Sequence, residues 1–162
     1  MARIPTLAKT AVFSVIVPGT VVVGIPRLLA RYDREARVLA SAPARAIGFA
    51  ALVAGSSLYL HTAWRFTAEG RGTPSPSHET EELVTGGIYA VVRNPMYVGV
   101  LLVLVGQAVR YRSLHVCWWT IVCWLGFHRR VVEDEEPHLE DRFGAEYEAY
   151  REAVPRWIPR PR

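Results

Sequence analysis

One short stretch of the chain carries residues that could bind an anion. It reads GGIYAVVRNPMYVG, and in it Arg93 and Asn94 stand directly before Pro95. Asn94 is a favoured N-cap residue and Pro95 suits the first helical position, so a helix is predicted to begin here. The free N–H groups of that helix start and the Arg93 guanidinium suit a carboxylate or a phosphate. Tyr89 and Tyr97 flank them, and the same residues also fit a plain helix cap at a membrane interface.

The second candidate cluster is a run of four acids, Glu133, Asp134, Glu135 and Glu136. Glu135 stands seven residues after His128, so the two would share one face of a helix. Carboxylates in this place could receive an amine or sugar hydroxyls. The alternative is a solvated run that ends a helix before Pro137 and pairs with Arg129 and Arg130.

Other chemistries have little support in the sequence. The five histidines show no metal-ligand spacing, so we expect no metal. Gly70 and Gly72 lack the Lys-Ser/Thr that completes a phosphate loop. Cys117 and Cys123 lie in one apolar block and are expected to be small buried hydrophobes, not a disulfide. The net charge of +4 comes from arginines beside apolar segments, which favours lipid headgroups over nucleic acid as partners.

Four apolar blocks must position these clusters. They are residues 10–30, 44–66, 95–109 and 114–132, in a chain of 162 residues that is 51% hydrophobic. The first two are long enough to cross a bilayer, and small residues at 54–57 allow close approach of a neighbouring helix. Only four residues join the last two blocks, which predicts an antiparallel helical hairpin. The sequence therefore predicts an all-α fold, an integral membrane bundle of about four transmembrane helices.

We predict a single domain over residues 1–162. Its parts are membrane helices, a polar cofactor loop, the hairpin and a cytosolic tail, over residues 1–66, 67–94, 95–132 and 133–162. In the tail, apolar residues at helical spacing predict one amphipathic helix at the headgroup boundary. These residues are Leu139, Phe143, Tyr147, Tyr150 and Val154.

The motifs of the C-terminal half, taken together, resemble one family. LVTGGIYAVVRNPMYVG and EDEEPHLEDRFGAEYEAYREAVPRWIPR look like parts of the membrane methyltransferases related to isoprenylcysteine carboxyl methyltransferase and phospholipid N-methyltransferase, particularly their short bacterial members. The first set of matching positions is Leu83, Val84, Gly87, Tyr89, Arg93, Pro95, Tyr97 and Gly99. The second set is Glu135, Glu136, Leu139, Phe143, Gly144, Tyr147, Val154 and Pro155.

This resemblance implies S-adenosylmethionine (SAM) as the methyl donor, bound at the cytosolic face. The catalytic residues would be Arg93 and Glu136. The cofactor-binding residues would be Leu83, Val84, Gly87, Tyr89, Arg93, Asn94, Pro95, Tyr97, Glu135 and Glu136. Arg93 and the helix start would hold the carboxylate of SAM, and Glu135 or Glu136 its amine or ribose hydroxyls. The protein would then contribute mainly alignment and exclusion of water.

Two positions depart from the family pattern. Asn94 replaces a common histidine and cannot take a proton near neutral pH, so it is not a base. Glu81 replaces a second histidine, and no contact is assigned there. The expected acceptor is a lipophilic small molecule or a lipidated substrate that enters from the membrane. Its accepting atom, whether of a carboxylate, thiolate, amine or hydroxyl, is left open.

Two other functions stay open at this level. A sterol-reductase-like, NADPH-dependent membrane reductase shares the Arg-x-Pro-x-Tyr-x-Gly pattern, although Val100 stands where an acid is expected. A non-catalytic membrane protein could retain the same fold. The expected location is a bacterial cytoplasmic membrane, crossed several times, with the site facing the cytoplasm. Arginines crowd residues 27–45, so either the block at 10–30 does not fully cross or this connection lies along a leaflet.

Overall fold

The computed structural model describes residues 19–33, 39, 41–68 and 83–160, and within them every regular element is helical. The helices are α1 (Ile25–Arg31), α2 (Ala42–Ala68), α3 (Pro95–Tyr111), α4 (Leu114–Arg130), α5 (Glu136–Phe143) and α6 (Ala145–Ala153). Three short turns of other helical types complete the order. They are a π-helical turn before α1 (Thr20–Gly24), a 3-10 turn before α3 (Gly87–Ala90) and a π-helical turn between α4 and α5 (Val131–Glu135). The all-α prediction is confirmed for this part of the chain.

Among the described residues, α2 is the one helix that is long and apolar enough to cross a membrane. Its apolar segment, Ala42–Arg65, has 24 residues and is therefore about 36 Å long, enough for a hydrocarbon core of about 30 Å. Phe49, Leu60 and Trp64 are largely exposed along it. Such apolar side chains on the outer surface of a helix are typical of one that faces lipid.

α2 and α3 pack antiparallel through contacts between glycines. A Cβ on Gly55 would lie 2.6 Å from the carbonyl oxygen of Gly99, and one on Gly106 would lie 2.7 Å from that of Gly48. The two glycines of each helix are about two turns apart, so both contacts lie along one line. The close approach predicted for the small residues at 54–57 is thus confirmed at Gly55, and it fixes α3 against α2.

α3 and α4 form the predicted antiparallel hairpin. The Oγ of Ser113 accepts a hydrogen bond from the N–H of Val116 at 3.1 Å and so caps α4. Asp33, which follows α1, accepts from the N–H of His115 at 2.9 Å and from the Ser113 hydroxyl at 2.7 Å. These hydrogen bonds lower the pKa of Asp33 to about 2. They also tie the connection after α1 to the tip of the hairpin.

The π-helical turn before α1 is joined to the hairpin by side-chain donors. Gln107 donates from Nε2 to the carbonyl of Val22, and Trp119 donates from Nε1 to the carbonyl of Val21 at 3.0 Å. A π-helical turn displaces carbonyls from the ordinary ladder, so side chains of neighbouring helices can satisfy them. Val21 and Val22 pack against a core of buried residues, Val100, Leu104 and Cys123.

The tail differs from the single amphipathic helix predicted for it. The helical conformation continues from α4 through the Val131–Glu135 turn into α5, so the chain stays helical past Pro137. The break comes at Gly144, whose φ of +51° separates α5 from α6. A glycine tolerates this conformation because it has no Cβ. The apolar spacing continues across the break, which is why periodicity alone predicts one helix.

Two predicted features lie partly outside the described residues. The described residues do not include residues 10–18 of the first apolar block. They also do not include residues 69–82, which make up most of the polar loop. The cysteine prediction is confirmed in part. Cys117 and Cys123 are both free thiols, but only Cys123 is buried, whereas Cys117 is half-buried.

Candidate functional site

Arg93 and Glu136, which the resemblance marks as catalytic, meet in an ion pair. The Nη1 of Arg93 lies 3.1 Å from the Oε1 of Glu136, and the side chains are only 9% and 10% exposed. The same Nη1 donates to the Tyr147 hydroxyl at 3.1 Å. The backbone N–H of Arg93 donates to the carbonyl of Pro155 at 2.9 Å. Arg93 therefore joins the start of α3 to the tail by both its side chain and its main chain.

Arg156 completes the pairing of Glu136. Its Nε donates to Oε1 and its Nη2 to Oε2, both at 2.7 Å, a two-pronged arrangement that favours the ionised carboxylate. Burial by itself raises the pKa of the Glu136 carboxyl, but hydrogen bonds from Arg156 and the charge of Arg93 outweigh it and hold the pKa below its ordinary value. We call Arg93, Glu136, Tyr147 and Arg156 the ion-pair cluster.

Asn94 and Pro95 begin α3 as predicted, but the Asn94 side chain does not cap it. Asn94 occupies the N-cap position and Pro95 follows at the helix start, where it is buried. The side chain makes no capping hydrogen bond, and its Nδ2 instead donates to the carbonyl of Arg156 at 3.3 Å. The predicted N-cap position is therefore confirmed, although the side chain makes no capping hydrogen bond and contacts the tail instead.

Glu135 lies in a second polar group beside the ion-pair cluster. Its Oε1 accepts from the Tyr97 hydroxyl and, at 2.8 Å, from the Nε of Arg130. This pair is more open to solvent, since the side chains of Arg130 and Glu135 are 50% and 32% exposed. Tyr97 and Glu135, two of the predicted cofactor-binding residues, are therefore in direct contact.

The π-helical turn Val131–Glu135 distributes the acidic run among different partners. Glu133 pairs with Arg129 at 2.7 Å on the exposed side of α4. The acids at 135 and 136, although adjacent, contact Arg130 and Arg93 respectively. The alternative interpretation, in which the acids pair with the preceding arginines, is thus confirmed for Glu133 and Glu135. It does not hold for Glu136, which faces the start of α3.

Aromatic rings lie next to Glu135. The Tyr97 ring stacks on Phe127 with centroids 4.6 Å apart and lies 6.4 Å from the ring of Trp157. Trp157 donates from Nε1 to the Nδ1 of His128 at 3.2 Å, which fixes the tail against α4. We call Tyr97, Phe127 and Trp157 the aromatic wall. It offers an aromatic surface beside Glu135.

The segment before α3 supplies further predicted residues. Gly87 has a φ of +59°, which glycine adopts without strain because it has no Cβ, and a Cβ there would have to displace the end of the Arg65 side chain. Tyr89 is 6% exposed, and its carbonyl accepts from the Tyr150 hydroxyl at 2.8 Å. Two more predicted residues lie half-buried ahead of this turn, Leu83 and Val84. A role for these four residues in cofactor binding stays a prediction.

Sequence reasoning missed several residues that the tail contributes. The hydroxyls of Tyr147 and Tyr150 contact Arg93 and Tyr89, yet their spacing indicates only one face of an amphipathic helix. Arg156 follows the Val-Pro motif directly. Its place next to this motif is the one signal by which the sequence could have indicated that Arg156 belongs to the site.

The sequence matches the phospholipid methyltransferase family over residues 43–146. This segment runs from the start of α2 into α6. It includes Arg93 and Glu136, and thus both members of the buried ion pair. The match therefore covers the packed helices and most of the candidate site.

Similar curated proteins carry the name protein-S-isoprenylcysteine O-methyltransferase. The protein of Schizosaccharomyces pombe is 41% identical over 78 residues, which is 48% of this chain and 33% of that protein. Form B of Arabidopsis thaliana is 34% identical over 82 residues, 50% of this chain and 41% of that protein. The Homo sapiens protein is 36% identical over 83 residues, 50% of this chain and 28% of that protein. The chain thus matches well under half the length of each relative.

The fold is similar to a solved structure of the eukaryotic intramembrane Ras methyltransferase ICMT (isoprenylcysteine carboxyl methyltransferase). The TM-score is 0.55 at 24% identity, and the likeness covers 98% of this chain and 54% of the other. At this identity the likeness shows a shared fold. Since the family match spans more than half of the sequence, the chain belongs to the phospholipid methyltransferase family.

Proposed function

We propose that the protein is a SAM-dependent methyltransferase that acts on a lipophilic acceptor. The observation that carries this proposal is the buried ion pair of Arg93 and Glu136, which lies at the start of α3 inside the segment that matches the family. SAM, when bound, would supply a methyl group on its sulfonium sulfur. The acceptor atom attacks the methyl carbon in line, and S-adenosylhomocysteine leaves as the thioether. The residues of the chain then have to bind, orient and shield the reactants.

The chemistry of Arg93 fits the carboxylate of SAM. Its Nε is buried and has no hydrogen-bond acceptor among the described residues. Because a buried donor without an acceptor is costly, an anionic oxygen placed there would be favourable. Glu136 and Tyr147 hold the other side of the guanidinium, so its orientation is fixed before any ligand arrives. The N–H groups at the start of α3 add partial positive charge.

The two carboxylates take different parts in the proposal. Glu136 is nearly buried and is paired with two arginines, so it acts as a positioning residue for Arg93. Glu135 and Arg130 form a more exposed pair, and exchange of such a pair costs little free energy. Glu135 is therefore the acid that would receive the amine or the ribose hydroxyls. The neighbouring Tyr97 ring suits the adenine.

The acceptor is proposed to enter from the bilayer. α2, α3 and α4 would cross the membrane, and the site would face the cytoplasm. Large side chains on the outer surface of α4, among them Trp118 and Leu125, are exposed as lipid-facing side chains are. The family description and the names of the relatives point to phospholipid or isoprenylcysteine acceptors, which share a long apolar chain.

Two measurements on the purified chain in detergent test the proposal. Calorimetry should show binding of S-adenosylhomocysteine, with NADPH as the control ligand for a reductase. Methyl transfer from labelled SAM should then be measured with a farnesylcysteine analogue and with phosphatidylethanolamine, and the product identified by mass spectrometry. Transfer to either acceptor supports the proposal and selects its class. Absence of SAM and S-adenosylhomocysteine binding, or binding of NADPH alone, would contradict it.

A further inference from the structure

We propose that the protein has a second binding site, for the headgroup of an anionic phospholipid, at the end of the α2–α3 pair that lies away from the ion-pair cluster. A cavity of about 260 Å³ opens there, between the beginning of α2 and the end of α3. Its charged lining consists of Arg45, Arg110 and Arg112. With a rise of 1.5 Å per residue, Arg110 lies about 22 Å along α3 from Pro95. The two sites would therefore face opposite leaflets.

Three arginines and an apolar surface line the cavity, and none of the lining residues is acidic. The other lining residues are Gly48, Phe49, Leu52, Gly106 and Val109. Guanidinium groups bind phosphate oxygens in a two-pronged geometry. The apolar part suits the beginning of an acyl chain. A phosphatidyl headgroup with the beginning of its acyl chains offers both features.

The glycine contacts build the floor of this cavity. A Cβ on Gly48 would lie 2.6 Å from the Cβ of Val109, and one on Gly106 would lie 2.4 Å from the Cγ of Leu52. The helices therefore touch beneath the cavity. Phe49 is 71% exposed at its edge. The exposed Phe49 ring therefore offers an apolar surface beside the cavity to a lipid that approaches in the plane of the membrane.

The backbone of Arg112 gives an independent observation. Among the described residues it is the only one other than glycine with a positive φ, at φ 52° and ψ 41°. It ends α3 at a position where glycine or asparagine is favoured, because a Cβ is strained in the left-handed region. An arginine here therefore costs backbone energy. Arg112 is also one of the three arginines that line the cavity.

The inference needs α2 and α3 to lie in a bilayer, as the proposed function does, but it does not need the protein to transfer methyl groups. The full chain in a non-ionic detergent is titrated with short-chain phosphatidylglycerol, and bound lipid is counted by native mass spectrometry. Short-chain phosphatidylcholine tests the headgroup charge, and inorganic phosphate tests whether a free anion is sufficient. Binding of S-adenosylhomocysteine to the same preparation reports on the proposed function separately.

Phosphatidylglycerol should bind more tightly than phosphatidylcholine, and inorganic phosphate at the same concentration should not displace it. Arg45→Gln and Arg110→Gln should each weaken phosphatidylglycerol binding about fivefold. Arg31→Gln is the matched control, because Arg31 ends α1, is exposed and does not line the cavity. The Arg31→Gln variant should bind phosphatidylglycerol as tightly as the unchanged protein.

Arg112→Gly separates lipid binding from folding. The change relieves the left-handed backbone, so the melting temperature should stay the same or rise while phosphatidylglycerol binding weakens. Unchanged lipid binding in this variant would overturn the proposal. So would equal affinity for the two lipids, or displacement of phosphatidylglycerol by inorganic phosphate at equal concentration.

Discussion

Glu136 accepts a hydrogen bond on each carboxylate oxygen from Arg156, both at 2.7 Å, while Arg93 lies 3.1 Å from the Oε1 atom. Two arginines from distant parts of the sequence thus share one buried acid. The arrangement joins the start of α3 to the segment that follows α6. Because the three charges contact one another, substitutions at these positions are expected to be coupled in their effects on stability.

Removal of Arg156 should destabilise the protein. Arg156→Ala leaves the buried Glu136 carboxylate with one partner in place of two, and the expected loss is about 1–3 kcal/mol of unfolding free energy. Thermal unfolding in detergent measures it. Arg129→Ala is the control, because its pair with Glu133 is 76% and 55% exposed and should contribute little to stability. Equal small losses in both variants would show that Arg156 does not stabilise the cluster.

Substitution of Arg93 should weaken cofactor binding. Arg93→Ala removes the buried Nε donor, so affinity for S-adenosylhomocysteine should fall by about 1–3 kcal/mol in calorimetry. Arg93→Lys keeps the charge but loses the planar fork, so it should not restore the affinity. Wild-type affinity in Arg93→Lys would mean that charge alone is sufficient. Wild-type affinity in both variants would remove Arg93 from the site.

The ion-pair cluster should make stability sensitive to acid. The folded-state pKa of Glu136 lies below its ordinary value of 4.5, because its arginine partners favour the ionised form. Its contribution is therefore complete above pH 4.5 and is lost as the pH falls through the lower folded-state pKa. The melting temperature should fall below pH 4.5. The fall should be smaller in Glu136→Gln, and equal falls in both proteins would assign the acid sensitivity to other carboxylates.

The glycine contacts between α2 and α3 should be intolerant of a methyl group. In Gly55→Ala the new Cβ would lie 2.6 Å from the carbonyl oxygen of Gly99, so the helices must move apart and the melting temperature should fall. The cost should be in the range of about 1–3 kcal/mol typical of overpacking. Gly126→Ala is the matched control in α4, where nothing lies within 4 Å of the added carbon. Equal melting temperatures for the two variants would contradict the close helix contact.

A backbone effect without a packing effect is expected at Gly144. A Cβ there meets nothing within 4 Å, but the φ of +51° and ψ of −124° are unfavourable for other residues. Gly144→Ala should therefore lower the unfolding free energy by about 1–3 kcal/mol. The measurement is again thermal unfolding. No loss would mean that α5 and α6 can be joined in a different conformation.

The sequence predicts those parts of the fold that depend on local patterns. The hairpin follows from two apolar blocks with a short connection, and the start of α3 follows from Asn94 and Pro95. The meeting of Arg93 with Glu136 follows from motif resemblance, because no periodicity relates the two positions. The break at Gly144 escapes prediction, since the apolar spacing runs through it. Arg156 escapes because its partner is set by how the tail packs, a long-range property.

The close contact between α2 and α3 also determines which part of the molecule can move. These two helices touch backbone to backbone along one line, so neither can shift without the other. The tail contacts the start of α3 by hydrogen bonds and charges at Arg93, Asn94 and Tyr97, and the Trp157 ring also packs against Tyr97. We therefore expect any movement that admits a ligand to occur in the tail, while the paired helices stay in place as a fixed support.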